Sequence, residues 1–149
     1  MHRPALAVTV LFVRHAYAGD RDRWVGDDRL RPIEGKGIAQ AEGLVDLLAG
    51  YDIARVFSSP FARCVQTVEP LAASLGLPVE PMEELAEATG ASGLSVLDGL
   101  TGTVVVCAHG DNVPDMLDAL GVDCDRCQKG STWVVHPGEK SGLYLPPPG

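Results

Sequence analysis

Three segments of the chain are mostly apolar and run directly into polar or cationic residues. The segments are 8–13, 54–57 and 103–108. Runs of this kind are typical of strands that are buried on both faces, as in a parallel sheet. Arg14 and His15 follow the first segment, Arg63 lies shortly after the second, and His109 follows the third. Because open α/β sheets bind ligands beyond the carboxyl ends of their strands, the pattern predicts that these four side chains converge on one crevice.

The stretches between these strands have the spacing of amphipathic helices. Residues 34–48 place apolar side chains, Ile38 among them, on one helical face, and Gly50 is predicted to cap the end of that helix. A second helix is predicted over 61–75, with Pro60 at its start.

The rest of the chain completes an α/β pattern. An edge strand is predicted within 77–82, a short helix over 113–120, and two further strands over 131–136 and 143–145. Together these elements predict one three-layer α/β/α domain with a mostly parallel sheet. The domain is predicted to span 1–149, with a core over about 8–136 and an extended or frayed tail over 146–149.

Composition and charge limit the classes of partner. The 149 residues carry a formal net charge of −8. This charge argues against general affinity for nucleic acid or for an anionic membrane surface. An anionic ligand must therefore be attracted by a local cluster of cations that works against the overall field.

Neither the cysteines nor the amino terminus indicates a metal site or secretion. The C-x-x-C of Cys124 and Cys127 lacks the second ligand pair of a structural zinc site. We therefore predict no metal and no cofactor. Residues 3–18 resemble a short signal peptide, but Arg14 and His15 interrupt the apolar run just before the apparent cleavage site. A cytoplasmic protein without a membrane-spanning segment is the better interpretation.

Two arginines and two histidines at neighbouring strand ends suit phosphoryl transfer. Arginine presents a planar fork of donors that matches phosphate oxygens, and it stays charged at any working pH. A neutral imidazole can attack phosphorus and split one displacement into two through a phosphohistidine. Surrounding cations keep that imidazole unprotonated and stabilise charge on the equatorial oxygens. A carboxylic acid at the rim can supply the proton that the leaving oxygen needs.

Four motifs occur in a characteristic order along the chain. They are Arg14-His15-Ala16 after a strand, Ser59-Pro60-x-x-Arg63, Glu87, and His109-Gly110. In this order and spacing they resemble the histidine phosphatase superfamily, also called the phosphoglycerate mutase-like family, over residues 8–120. The resemblance implies that His15 is the nucleophile and that Arg14, Arg63 and His109 bind the phosphoryl group.

The resemblance also implies a proton donor. In the family the donor typically follows a leucine by two places, which points to Glu87 after Leu85 and leaves Glu84 as the alternative.

Two further stretches resemble particular branches of the family. The stretch that begins Asp28-x-x-Arg31-Pro32 is similar to the small phosphohistidine-phosphatase branch, and Lys129-Gly-Ser-Thr-Trp133 is similar to the phosphatase module fused behind some Nudix hydrolases.

A loop of alternating charge follows the first strand, and it allows two interpretations. Its arginines are Arg21, Arg23, Arg29 and Arg31. The loop can be a solvated segment whose acidic and basic side chains offset one another, which is the commoner case for loop charges. Alternatively, some of these arginines lean over the crevice and bind additional charge on the substrate.

The sequence thus predicts a metal-independent phosphohydrolase that works through a phosphohistidine on His15. The predicted substrate is a phosphoprotein, with phosphohistidine as one option, or a small phosphate ester or nucleotide. A phosphoglycerate mutase-type phosphotransferase is one alternative, but only about 20 residues separate Glu87 from His109, a short span for a lid that excludes water. A non-catalytic phosphate-binding module is the other. The sequence does not predict the oligomeric state.

Overall fold

The computed structural model describes residues 7–149, and its strands form one six-stranded sheet. The strands are β1 (Val8–Arg14), β2 (Ile53–Ser58), β3 (Val79–Pro81), β4 (Gly102–Ala108), β5 (Thr132–Val135) and β6 (Gly142–Leu145). Their order across the sheet is β3-β2-β4-β1-β5-β6. Strands β3, β2, β4 and β1 are parallel to one another, and β5 and β6 add an antiparallel edge. The prediction of a mostly parallel sheet is confirmed.

Helices cover both faces of the sheet, as the three-layer prediction requires. Helices α1 (Lys36–Leu47) and α2 (Ala62–Leu75) pack on one face, and α3 (Asn112–Ala119) packs on the other together with short 3₁₀ turns. Alternate side chains of β1 enter the two cores: Leu11 points to α1 and α2, and Phe12 points to α3. This alternation explains why the strand is apolar at every central position.

The carboxyl ends of β2, β4 and β1 lie side by side, because β4 pairs with both of the others. Two backbone hydrogen bonds continue the sheet into the loops that follow. The amide of His15 donates to the Ala108 carbonyl at 3.0 Å, and the amide of Ser59 donates to the Cys107 carbonyl at 2.9 Å. The residues that follow the three strands are therefore held against one another at one edge of the sheet.

The first helix differs from its prediction at both ends. It begins at Lys36, and Leu48, not Gly50, ends it. Ile38 was predicted on the buried face but is 48% exposed. The reason is Gly37, where a Cβ atom would collide with the Tyr17 carbonyl oxygen. Close backbone packing at this glycine turns Gly37 toward the core and Ile38 toward solvent.

The sequence predicts an extended or frayed tail over residues 146–149. Residues 146–149 have no regular secondary structure, but Pro147 and Pro148 are partly buried. A Cβ atom on Gly43 of α1 would lie only 2.7 Å from Cβ of Pro148. The missing side chain at Gly43 makes the space into which the proline ring packs.

Within residues 7–149, no helix combines the length and the apolar character needed to cross a membrane.

Candidate active site

His15 lies at the carboxyl end of β1, and its environment favours a neutral ring with a free Nε2. The side chain is buried, and its Nδ1 lies 2.9 Å from the Ala16 carbonyl oxygen. Because a carbonyl can only accept, Nδ1 carries the proton and Nε2 carries the lone pair. Burial lowers the pKa of His15 from 6.5 to about 3; the Ala16 carbonyl opposes this shift, and the charges of His109, Arg63 and Arg14 add to it. At neutral pH the ring is therefore uncharged, and its Nε2 atom is free to act as a base or a nucleophile.

Arg63, in the first turn of α2, is completely buried. Its Nη1 donates to the Asp28 carbonyl at 2.9 Å, and its Nη2 donates to the Asp28 carboxylate at 3.1 Å and to Glu87 Oε2 at 2.7 Å. The guanidinium thus joins two loops that are far apart in sequence. Burial opposes the charged form of Asp28, but the hydrogen bond from Arg31 and the charge of Arg63 outweigh it and hold the pKa of Asp28 below its usual value.

Glu87 lies beside two arginines. Its Oε2 accepts from Arg63, and its Oε1 accepts from Arg21 Nη2 at 2.8 Å. The residue after it, Ala88, has a positive φ of 69°. The Ala88 amide donates to the Asp111 carboxylate at 2.8 Å, which holds this unfavourable conformation in place. Glu84 is exposed and, among the described residues, makes no hydrogen bond to these arginines.

His109 follows β4 and is held from three sides. Its Nε2 lies 2.8 Å from Ser59 Oγ and 3.6 Å from Cys64 Sγ, and its backbone amide donates to Asn112 Oδ1 at 2.8 Å. Its ring packs edge-on against His15, with 5.5 Å between the ring centroids. The two histidines at the ends of β1 and β4 are therefore immediate neighbours.

Arg14 is fixed by a loop near the carboxyl terminus. Its Nη1 donates to the Cys127 carbonyl at 2.5 Å. A Cβ atom on Gly110 would lie 2.6 Å from the Arg14 guanidinium carbon, so a larger residue at this position would force the guanidinium to move. The Nε atoms of Arg14 and Arg63 are both buried and have no hydrogen-bond partner among the described residues. Unpaired buried donors are costly, and an anion bound between the two arginines supplies acceptors.

The predicted site residues Arg14, His15, Arg63, Glu87 and His109 are thus brought together. Their catalytic and binding roles remain predictions.

The four loop arginines have different surroundings. Arg31 is buried and donates to the Ala18 carbonyl and to Asp28. Arg21 is paired with Glu87, while Arg29 is paired with Glu83, at 2.8 Å in each case. Arg23 has a side chain that is 89% exposed and lies 3.8 Å from Asp20. Their proposed part in substrate binding remains a prediction, and three of them already have close carboxylate partners.

Sequence reasoning missed three residues that hold the site together. Asp28 fixes Arg63, Ser59 contacts His109, and Asn112 joins the His109 amide to the Leu85 and Ala86 carbonyls. Asp28 and Ser59 stood within recognised motifs, and that position was the available signal. Asn112 carried no signal, since the Leu85 and Ala86 carbonyls that it joins to His109 are more than twenty residues away.

The structure shows Cys124 and Cys127 as free thiols. Within residues 7–149, no cluster of three or more histidine, cysteine, aspartate or glutamate side chains is arranged to hold a metal ion.

A buried neutral histidine thus lies beside the buried Arg63 and the half-buried Arg14, an arrangement that suits a phosphoryl group. The sequence profile of the histidine phosphatase superfamily (branch 1) matches residues 10–94, which is more than half of the chain. The chain therefore belongs to the histidine phosphatase superfamily.

Particular relatives refine this placement. The 8-oxo-(d)GTP phosphatase of Mycolicibacterium smegmatis is 36% identical over 165 residues, an alignment that covers 98% of this chain and 50% of the relative. The chain thus spans about half the length of the curated relative that it matches.

Two solved structures show the same fold. The protein histidine phosphatase SixA, complexed with tungstate, has a TM-score of 0.74 at 22% identity, covering 92% of this chain and 94% of SixA. YhfR of Bacillus stearothermophilus has a TM-score of 0.75 at 15% identity, covering 92% of this chain and 95% of YhfR. The phosphoglycerate mutase-like architecture expected from the sequence is confirmed.

Proposed function

We propose that this protein is a metal-independent phosphohydrolase that removes a phosphoryl group through a phosphohistidine on His15. The observation that carries the proposal is the state of His15. Its Nδ1 is engaged by the Ala16 carbonyl, and burial together with nearby cations lowers its pKa to about 3. The imidazole therefore keeps a lone pair on Nε2 at neutral pH, which is the requirement for attack on phosphorus.

The reaction divides into two displacements. In the first, His15 Nε2 forms a bond to phosphorus, the bond between phosphorus and the leaving oxygen breaks, and that oxygen takes a proton from Glu87. In the second, a water molecule attacks the phosphohistidine, gives a proton to Glu87, and releases phosphate as the P–N bond breaks. The buried Nε donors of Arg14 and Arg63 have no partner within residues 7–149, and they can bind the equatorial oxygens throughout.

The positive charge that a metal ion would supply is already present in this site. Arg63 is buried, and Arg14 is half-buried, so their charges act in a region of reduced dielectric. Magnesium would need oxygen ligands, but Asp28 and Glu87 both accept from Arg63. The proposal therefore assigns the charge stabilisation to guanidinium groups.

The substrate is a phosphoprotein or a small phosphate ester or nucleotide. SixA, which shares the fold, is described as a protein histidine phosphatase. The Mycolicibacterium smegmatis relative, half of whose length this chain matches, is described as an 8-oxo-(d)GTP phosphatase. Both descriptions fit a site that transfers one phosphoryl group and leaves the rest of the substrate at the crevice mouth.

Trapping the intermediate tests the proposal. Rapid quench with ³²P-labelled p-nitrophenyl phosphate should give an adduct that is labile in acid and stable in base, and His15→Ala should abolish it. Turnover should persist in excess chelator. An adduct that maps to His109, or activity that requires added magnesium or zinc, would contradict the proposed mechanism.

A further inference from the structure

A second cationic site lies next to His15, outside the catalytic cluster. A cavity of about 340 Å³ is lined by Tyr17, Lys36, Gln40, Gln128, Lys129 and Pro147, and we call it the Tyr17 pocket. Two links attach it to the reacting centre. Tyr17 follows His15 by two residues, and the amide of Gly130, next to Lys129, donates to the carbonyls of both Arg14 and His15 at 3.1 Å. The pocket is thus continuous with the carboxyl end of β1.

Two lysines of this pocket lie close to the same aromatic ring. The Nζ atom of Lys36 lies 4.9 Å from the Tyr17 ring centroid, and that of Lys129 lies 5.6 Å from it. Neither lysine has a carboxylate within ion-pair distance in the part of the chain that the structure describes. By contrast, Arg21, Arg29 and Arg55 each pair with a glutamate at 2.8 Å or less.

The lack of carboxylate partners is unexpected for a chain of net charge −8. Like charges placed close together repel, and Lys36 also stands at the first position of α1, where the helix dipole disfavours a cation. Burial lowers the pKa of Lys129, and repulsion from nearby cations lowers it further. The first of these cations is Arg14, so the pocket lies close enough to the catalytic cluster to feel its charge. A bound anion relieves these repulsions together.

We propose that the Tyr17 pocket binds a second phosphate group, the one on the leaving side of a diphosphate ester such as a nucleoside diphosphate. This inference rests on the proposed function, because it places the terminal phosphoryl group at His15. The second phosphate then contacts Lys129 and Lys36.

The chemistry of a phosphoanhydride fits this arrangement. The bond from His15 Nε2 to the terminal phosphorus forms as the bond from that phosphorus to the bridging oxygen breaks, and the bridging oxygen leaves on a nucleoside monophosphate. A phosphate monoester has a second pKa of roughly 6, so this group can leave as an anion near neutral pH. The lysines stabilise the charge that develops on it. In the second displacement water releases inorganic phosphate from His15.

A phosphohistidine on a protein would not use the pocket in this way. It carries a single phosphate and has no second anion at a fixed distance. The charged loop is also less suited to the second phosphate, because Arg21 and Arg29 would first have to leave Glu87 and Glu83. The lysines can bind an anion without breaking an ion pair.

Steady-state kinetics on three substrates tests the inference. Lys129→Gln and Lys36→Gln should each lower kcat/KM for GDP about 10-fold, mainly through KM, because each removes a charge-assisted hydrogen bond. Both variants should leave p-nitrophenyl phosphate and a phosphohistidine peptide unchanged. Lys140→Gln removes an exposed lysine on the β5–β6 connection and is the matched control.

Outcomes that contradict the pocket differ from those that contradict the proposed function. Equal kinetics of Lys129→Gln and wild type on GDP, or a GDP-selective loss in Arg29→Ala alone, would overturn the pocket while a phosphoenzyme on His15 still forms. A missing phosphoenzyme on every substrate would overturn the function. Calorimetric binding of the non-hydrolysable α,β-methylene analogue of GDP, weakened about 10-fold by Lys129→Gln, would still support the pocket in that case.

Discussion

Replacing His15 with glutamine should reduce the acid sensitivity of the fold. His15 is 6% exposed, and its pKa is lowered from 6.5 to about 3. Between these two values the unfolded chain binds a proton at this residue and the folded chain does not. The free energy of unfolding must therefore fall as the pH falls through this window, and it must recover as the pH rises above 6.5. The glutamine variant has no such proton to bind.

The size of the effect follows from the width of the window. Each pH unit between the two pKa values contributes about 1.4 kcal/mol. From pH 6.5 down to about 4.5, the wild-type protein should lose roughly 2–3 kcal/mol more than His15→Gln does. Asp28, whose lowered pKa also makes folding acid-sensitive, contributes equally to both proteins and cancels in this difference.

Urea denaturation of both proteins near neutral pH and near pH 4.5 measures this difference directly. His136→Gln is the control, because His136 is exposed and lies near the amino end of β1, away from His15. Its Nδ1 is 2.9 Å from Thr9 Oγ1. It should follow the wild-type pH dependence. Parallel stability curves for wild type and His15→Gln would refute the reasoning, and with it the neutral, buried nucleophile.

Two further predictions concern activity. Glu87→Gln should cost alkyl phosphates roughly 10²–10⁴-fold in kcat/KM and p-nitrophenyl phosphate far less, since nitrophenolate leaves without a proton. Glu84→Gln should change little, and the reverse pattern would make Glu84 the donor. Gly110→Ala should displace the Arg14 guanidinium and lower kcat/KM about 10²-fold at an unchanged melting temperature. Gly50→Ala, where the added Cβ meets nothing within 4 Å, is the control, and equal activity of the two variants would contradict the steric argument.

The part of the site that depends on strand ends could be predicted from the sequence. The apolar runs identify buried parallel strands, and in such a sheet the residues after neighbouring strands must meet. Arg14, His15 and His109 follow from this rule alone. Arg63 follows from the rule and from its place in the first turn of a helix that begins just after β2.

The remaining parts of the site and of the fold depend on long-range contacts, which the spacing of apolar residues along the chain does not indicate. Asp28 reaches Arg63 across thirty-five residues, and Asn112 reaches Leu85 across twenty-seven. Ile38 has the spacing of a core residue, but the close approach of Gly37 to the Tyr17 carbonyl rotates α1 away from that pattern. Local spacing specifies an element and its apolar face, and tertiary packing decides which of two adjacent faces is buried.

The distribution of ion pairs explains how an acidic chain can favour one direction for its substrate. Arg63 joins the loop at Asp28 to the segment at Glu87, and Arg29 joins the same loop to Glu83. Arg63 and Arg29 therefore already have carboxylate partners before a ligand arrives.

In the Tyr17 pocket, Lys36 and Lys129 carry charges that no described carboxylate offsets, at 4.9 and 5.6 Å from the Tyr17 ring centroid. An anionic leaving group gains electrostatic free energy there without displacing a protein partner, and it gains nothing comparable on the loop side. We therefore expect one orientation of the substrate, in which Arg14 and Arg63 hold the phosphoryl group that is transferred to His15, while Lys36 and Lys129 hold the group that departs.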